Sequence, residues 1–262
     1  MDKFLAINGV AFTIAGIEIY WYGVIMCLAI LLALVLATLF CKVKKYDTDI
    51  PLNIALVVVP VGILSARFFY VLFDNGLSEF FNFRSGGMSI IGAVVGGALG
   101  LIAYLLIKKP KDKWVYFDVL AVVLILAQAV GRWGNFFNGE VYGQVIESGS
   151  EFAKFPFAVK IEGIYYQALF LYESVLNLIG FAILALTFLC SKRKGLPTAM
   201  YLIYYGLVRT ILEGFRQEGY ILRLGSFAVS RLFSIAMIVI GVALLVWILI
   251  KSKKREVKHE KK

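Results

Sequence analysis

Apolar runs near residues 18–40, 51–73, 88–107, 114–133, 166–190, 197–215 and 228–250 leave little choice of fold. Each reaches the ~20 residues that a helix needs to cross a ~30 Å hydrocarbon layer. In lipid every backbone polar group must be satisfied internally, so only helices and closed barrels can span. A barrel would show short alternating segments instead of these continuous runs. The mean hydropathy of +0.84 agrees. The expectation is an all-α polytopic membrane protein with seven transmembrane helices. They form a single domain over residues 1–250, followed by a basic tail at 251–262.

Lysine and arginine set the orientation. Lys42, Lys44 and Lys45 follow the first run, Lys108, Lys109, Lys111 and Lys113 the third, and Lys192, Arg193 and Lys194 the fifth; the tail KSKKREVKHEKK follows the seventh. Most of the 27 basic residues thus fall on one face, which the positive-inside rule makes cytoplasmic. The N-terminus and the connections near 75–87, 131–165 and 216–227 are then expected outside, with the C-terminus cytoplasmic. A net charge of +10 does not point to nucleic acid, because the excess lies in short juxtamembrane clusters suited to anionic lipid. The first run lacks a basic n-region and leads into a long span, so no cleavable signal peptide is expected. Cys27, Cys41 and Cys190 lie on or at the ends of apolar runs without metal-ligand spacing and read as small buried hydrophobes. The only histidine, His259, is in the basic tail, which removes histidine metal sites and Ser-His-Asp triads.

Ionisable groups in a bilayer cost several kcal/mol unless paired, so each marks a site by default. Here they are Arg67, Asp118, Arg132, Glu140, Glu173, Arg209, Glu213, Arg216 and Arg231, mostly in the outer half. Asp118 lies near the inner end and reads as a solvated or paired helix-end residue. Arg209, Glu213 and Arg216 share one helical face. Two arginines to one glutamate leave spare positive charge there, and Arg132 adds another cation at similar depth. Clustered guanidiniums suit a multidentate oxyanion such as a phosphodiester. The stretch GRWGNFFNGEVYG, residues 131–143, ends the fourth run. Gly131 and Gly134 read as a turn near the membrane, with Asn135 and Asn138 satisfying freed backbone groups or a ligand. It feeds the one long connection, about 134–165, whose FPFAVKIEG alternates like a strand and which is expected to form a small outer-face domain between helices four and five. Gly92, Gly96 and Gly100 suit tight helix packing. Tyr20 and Trp21 read as interfacial aromatics.

Residues 131–143 resemble the signature G-R-x-G-N-F-x-N-x-E-x-x-G of the prolipoprotein diacylglyceryl transferases, with every fixed position matched. The resemblance continues through WYG at 21–23, ARFFYVLFD at 66–74, GGMS at 86–89, FLYES at 170–174 and the run from Arg209 to Gln217. It implies a multi-pass protein of the bacterial cytoplasmic (inner) membrane with its active site toward the outer face. The implied reaction moves a diacylglyceryl group from phosphatidylglycerol to the lipobox cysteine of a preprolipoprotein signal peptide, forming a thioether and releasing glycerol-1-phosphate. Carried over by position, Arg132 and Arg209 hold the phosphate, Glu140 and Tyr22 join them in catalysis, and Asn135, Asn138, Gly143 and Arg67 bind substrate. Glu213 orients Arg209, and Arg216 lies near the outer rim. No cofactor or metal is implied, and a monomer amid membrane lipids is expected.

One departure matters. The family carries histidine two residues after M-S, where this chain has Ile91, and Gln167 and Ala168 stand where the family has His-Pro in H-P-[ST]-x-L-Y-E. The readings left open are an active transferase with Glu140, Tyr22 or Glu173 as proton acceptor, a divergent relative acting on another lipid or acceptor, and a non-catalytic phospholipid-binding protein. Retention of the phosphate-gripping residues favours the first. A transporter would need a polar path through both leaflets or an inverted repeat, and the sequence shows neither.

Overall fold

The computed structural model describes residues 9–72, 76, 80–81, 87–217, 219, 221, 223–224 and 227–260. Phe73, Asp74 and Gly86 of the motifs, most of the connection at 75–87, part of that at 216–227 and the last two tail residues lie outside these. Among the described residues there are seven helices: α1 (Trp21–Val43), α2 (Ile50–Tyr70), α3 (Ile90–Lys108), α4 (Lys113–Asn138), α5 (Leu169–Cys190), α6 (Leu196–Glu213) and α7 (Val229–Glu260). All but α6 are long and apolar enough to cross a membrane; α6 has 18 residues and carries Arg209 and Glu213. The tail does not end α7, which runs on through Lys251 to Glu260, because lysine, arginine and glutamate are good helix formers and extending a helix is cheap.

Two further boundaries differ from the sequence expectation. The first helix starts at Trp21, since β1 (Val10–Ile14) and β2 (Ile17–Tyr20) pair as an antiparallel hairpin before it. The alternation of IEIY suits a strand, and Ala15 and Gly16, both at positive φ, close the two-residue turn. More important, α4 continues to Asn138, so the first eight residues of the 131–143 motif are helical and Gly131 and Gly134 make no turn.

The chain falls into two compact units, Ala37–Leu120 and Met1–Leu36 with Ala121–Lys262. In the first, α3 packs on α2 through its glycine face. A Cβ at Gly92 would lie 2.5 Å from the Ser65 carbonyl oxygen and 2.7 Å from the Phe69 Cβ. Ser89 caps α3 by accepting from the Gly92 amide, and its own amide donates to Ala66 O at 3.0 Å. Overpacking such a contact costs about 1–3 kcal/mol. Gly92→Val should therefore lower the thermal midpoint of the detergent-purified protein by about 5 °C or more. Gly149→Ala, which meets nothing within 4 Å, should leave it unchanged. Equal midpoints would mean that α2 and α3 do not depend on this approach.

Of the two readings of Asp118, solvated or paired, burial removes the first: it is 4% exposed and engaged in contacts within the structure. Of the cysteines only Cys41 is buried, while Cys27 and Cys190 are exposed on helices whose outward faces are apolar.

In the second unit α6 packs closely on α7, where a Cβ at Gly206 would come 2.8 Å from the Ser234 carbonyl oxygen. The long connection does form strands. β3 (Val145–Ile146), β5 (Ile164–Gln167) and β4 (Ala158–Ile161) make a three-stranded antiparallel sheet in that order, with Val159 opposite Tyr166. Tyr142, Val159, Ala168 and Phe170 form the buried cluster beneath it, with Phe136 of α4 packed against them. The sheet is thereby tied to the end of α4 and the start of α5.

Candidate active site

A buried carboxylate organises the site. Glu173, in the second turn of α5, is 1% exposed, so its charge must be met by cations. Arg132 of α4 donates to its Oε1 at 2.7 Å and Arg209 of α6 to its Oε2 at 3.1 Å. Arg209 also pairs with Glu213 Oε2 at 3.2 Å, and Arg216 reaches the same oxygen at 3.7 Å. Arg132 donates further to Asn135 Oδ1 at 3.3 Å, one helical turn on, and its charge is felt by the nearby Tyr205 hydroxyl. Three helices thus converge on one alternating line of acid and base.

The line extends past the end of α4. Gly139 and Val141 both have positive φ, 65° and 60°. For a β-branched residue this is a strained conformation. The turn they make brings Glu140 back over its own helix, where Asn135 Nδ2 donates to Oε1 at 3.1 Å and Asn138 Nδ2 to the same oxygen at 3.4 Å. Of the two roles expected of these asparagines, freed backbone groups or a ligand, the first is replaced by holding the Glu140 side chain. Tyr22, the second residue of α1, packs its ring on α4 where Gly134 leaves room: a Cβ there would lie 2.7 Å from the ring. Its hydroxyl feels both Glu140 and Arg132. Trp21 stacks on Phe137 at 5.2 Å and fixes the entry of α1, a more specific role than an interfacial aromatic.

Gly143 stitches the motif to its surroundings. Its amide donates to Gln167 O, and it bridges to Arg216 across an antiparallel pair; a side chain there would strike Gln167 at 2.6 Å. Gln217 N donates to Tyr142 O, and Gln144 Nε2 to Gly214 O. So the segment after α4 runs beside the end of α6. A cavity of ≈ 620 Å³ opens there, lined by Glu213, Arg216 and Arg231 together with Phe227, Leu232 and Ile235. Burial pulls the Arg216 guanidinium below its ordinary pKa, and the neighbouring Arg209 adds to the effect. Its Nε is buried without a hydrogen-bond partner. An anion would relieve both.

The structure thus brings Tyr22, Arg132, Asn135, Asn138, Glu140, Gly143, Arg209, Glu213 and Arg216 into one unit. Arg67 belongs to the other. There it is 1% exposed, donates to Phe80 O at 3.3 Å and Gly87 O at 3.0 Å, and has Tyr70 beside its guanidinium at 5.5 Å. Those bonds tie Phe80 and Gly87 to α2. Ile91, in the first turn of α3, is half-buried in the same unit.

Two features escaped the sequence reading. The spare positive charge assigned to the face of α6 is largely met, because Glu173 supplies the second carboxylate from α5. It was visible as an intramembrane acid but had no assigned partner. Tyr205, one turn from Arg209, carried no signal beyond that spacing.

The likeness to known proteins extends along the whole chain. The sequence profile of the prolipoprotein diacylglyceryl transferases matches residues 9–247. Proteins named phosphatidylglycerol–prolipoprotein diacylglyceryl transferase are similar over nearly their whole length. That of Clostridium kluyveri is 38% identical over 256 residues, 94% of this chain and 98% of its own. That of Clostridium botulinum (strain Langeland) is 37% identical over 258 residues, 95% and 99%. That of Clostridium novyi is 38% identical over 255 residues, 94% and 98%. With profile, relatives and the 131–143 constellation in accord, this chain belongs to the prolipoprotein diacylglyceryl transferase family.

Proposed function

We propose that this chain transfers the diacylglyceryl group of phosphatidylglycerol to the lipobox thiol of preprolipoproteins, the first step of bacterial lipoprotein maturation. The observation that carries the reading is the pair of guanidiniums, Arg132 and Arg209, braced by the buried Glu173 where α4, α5 and α6 meet. A guanidinium has five N–H donors. After its bonds to Glu173 and its second partner each arginine keeps donors for a phosphate oxygen, already oriented and at low dielectric.

The thiol proton passes to Glu140, whose Oε1 takes both amide donors and whose Oε2 is left for the task. The sulfur then attacks the glyceryl carbon that bears the phosphate ester. The carbon–oxygen bond breaks, and its electron pair leaves on glycerol-1-phosphate, where Arg132 and Arg209 meet the developing charge. Tyr22 sits between acid and base to orient the headgroup, while Asn135, Asn138 and Gly143 shape the site. Glu213 holds Arg209, Arg216 guards the rim and Arg67 keeps the substrate-binding role implied by the resemblance. The ≈ 620 Å³ cavity, with charged and apolar side chains both in its lining, suits an amphiphile.

In this reading the protein is a monomeric, seven-span body of the inner membrane over residues 1–250. Its N-terminus and the 134–165 sheet face outward, and its basic tail at 251–262 lies on the cytoplasmic face. The charge pattern of the connections supports that orientation.

The test is to incubate the purified protein with phosphatidylglycerol and a lipobox peptide and to look for the diacylglyceryl thioether by mass spectrometry. Arg132→Ala should lower its rate ~10²–10³-fold. Thioether formed equally by the parent and Arg132→Ala would sink the phosphate-holding role. Product from Ile91→His but not from the parent would place the missing base on α3 instead of at Glu140.

A further inference from the structure

One turn inward from the Arg132–Glu173–Arg209 cluster, each of the three helices places a polar residue again. Gln128 lies four residues before Arg132, Asn177 four after Glu173, and Tyr205 four before Arg209, with Tyr201 a further turn along. Antiparallel contacts above and below set their level. Ser174 Oγ donates to Ala129 O at 2.9 Å, Ile125 packs where Gly180 leaves space, and Tyr204 donates to Leu176 O at 2.6 Å. The register therefore brings Gln128, Asn177 and Tyr205 into one layer.

That layer is incompletely satisfied. Gln128 Nε2 donates to the Tyr201 hydroxyl at 3.0 Å, and the Tyr201 and Tyr205 rings stack at 5.7 Å. Gln128 Oε1 is buried without a partner, and so are both polar atoms of Asn177, a residue with no exposed surface. A buried amide group without partners costs about 1–3 kcal/mol. Three such atoms at one level, beneath a cluster already assigned to phosphate, call for a hydroxyl-bearing group to complete them.

We infer that Gln128 and Asn177 form a headgroup-selecting layer that takes the hydroxyls of the uncharged polyol esterified to the phosphate. This rests on the phospholipid chemistry proposed above. The distance fits: a helical turn is 5.4 Å, about the reach from a phosphorus atom to the far hydroxyl of a three-carbon alcohol. So does the chemistry. The layer contributes amides and phenols and no carboxylate, and the three orphaned positions comprise a donor group and two acceptors, the complement of a diol.

The experiment compares phosphatidylglycerol with phosphatidylpropanol of the same acyl chains, whose headgroup has the same carbons and no hydroxyls. Turnover into lipobox peptide and lipid retention in native mass spectra are both measured on the full-length protein, for the parent, Asn177→Leu and Gln128→Met. A site built to bond a hydroxyl rejects the analogue lacking it, so the parent should prefer phosphatidylglycerol ~10–100-fold. Each variant should lower that preference ~10-fold. The thermal midpoint without lipid should be unchanged or raised, because an unpaired amide has been removed. Equal preference in parent and variants overturns the inference. A parent that does not distinguish the two lipids also overturns it, and leaves the layer to bound water. A lowered lipid-free midpoint with unchanged preference makes Asn177 a structural amide and overturns it too. Preferential retention of phosphatidylglycerol without any thioether would uphold the layer while rejecting the transferase reading.

Discussion

Glu173→Gln should cost this protein both stability and turnover. The side chain is 1% exposed and each of its oxygens holds a different arginine from a different helix. A glutamine of the same shape keeps at most one acceptor and removes the charge, leaving Arg132 and Arg209 buried against each other. Breaking a buried ion pair by removing one partner costs about 3–5 kcal/mol, since the remaining charge is uncompensated. The thermal midpoint in detergent should fall by about 10 °C. At a temperature well below both midpoints, thioether formation should fall ~10²-fold or more, because the guanidiniums lose the geometry in which they meet the leaving phosphate. Glu173→Asp should fall between, keeping the charge while its shorter side chain cannot hold both arginines. A Glu173→Gln protein with parental midpoint and parental rate would show that the bridge organises neither fold nor site.

Glu140→Gln separates proton transfer from phosphate binding. The amide keeps an oxygen for Asn135 and Asn138 but cannot accept the thiol proton. General-base help contributes typically ~10²–10⁴-fold, and a loss of that size is expected at pH 7. The variant should then depend more steeply on pH than the parent. A free thiol with a pKa near ~8.5 is about 3% thiolate at pH 7 and about half at pH 8.5. Base in solution can therefore replace the missing acceptor, and the rate of Glu140→Gln should climb ~10-fold over that interval. The lipid KM should stay near the parental value. A parallel pH profile in both proteins, or a rise in KM with unchanged kcat, would mean that Glu140 helps to bind the lipid and does not take the thiol proton.

Membrane class, the number of helices and most of the residues that the structure brings together could be read from the residues in order. Length and apolarity are local properties, so α2, α3 and α5 begin and end within a few residues of their expected limits. The strand in FPFAVKIEG was likewise announced by alternation. The end of α4 was misjudged because Gly131 and Gly134 look like helix breakers in isolation. In the fold they are where Met26 and Tyr22 of α1 come close, a reason that no window along α4 contains. The hairpin before α1 was missed because its strand runs without interruption into an apolar helix.

The sequence by itself determined which residues are too costly to leave in lipid unpaired, and their helical spacing determined which share a face. Only the tertiary structure decided who pairs with whom. Glu173 lies 41 residues from Arg132 and 36 from Arg209 along the chain. The packing of α4, α5 and α6 makes one carboxylate the brace of both. The same packing levels Gln128, Asn177 and Tyr205 one turn deeper. A buried charge requires a partner by its own electrostatics, but the partner's identity is a property of helix register across space, which no single segment encodes.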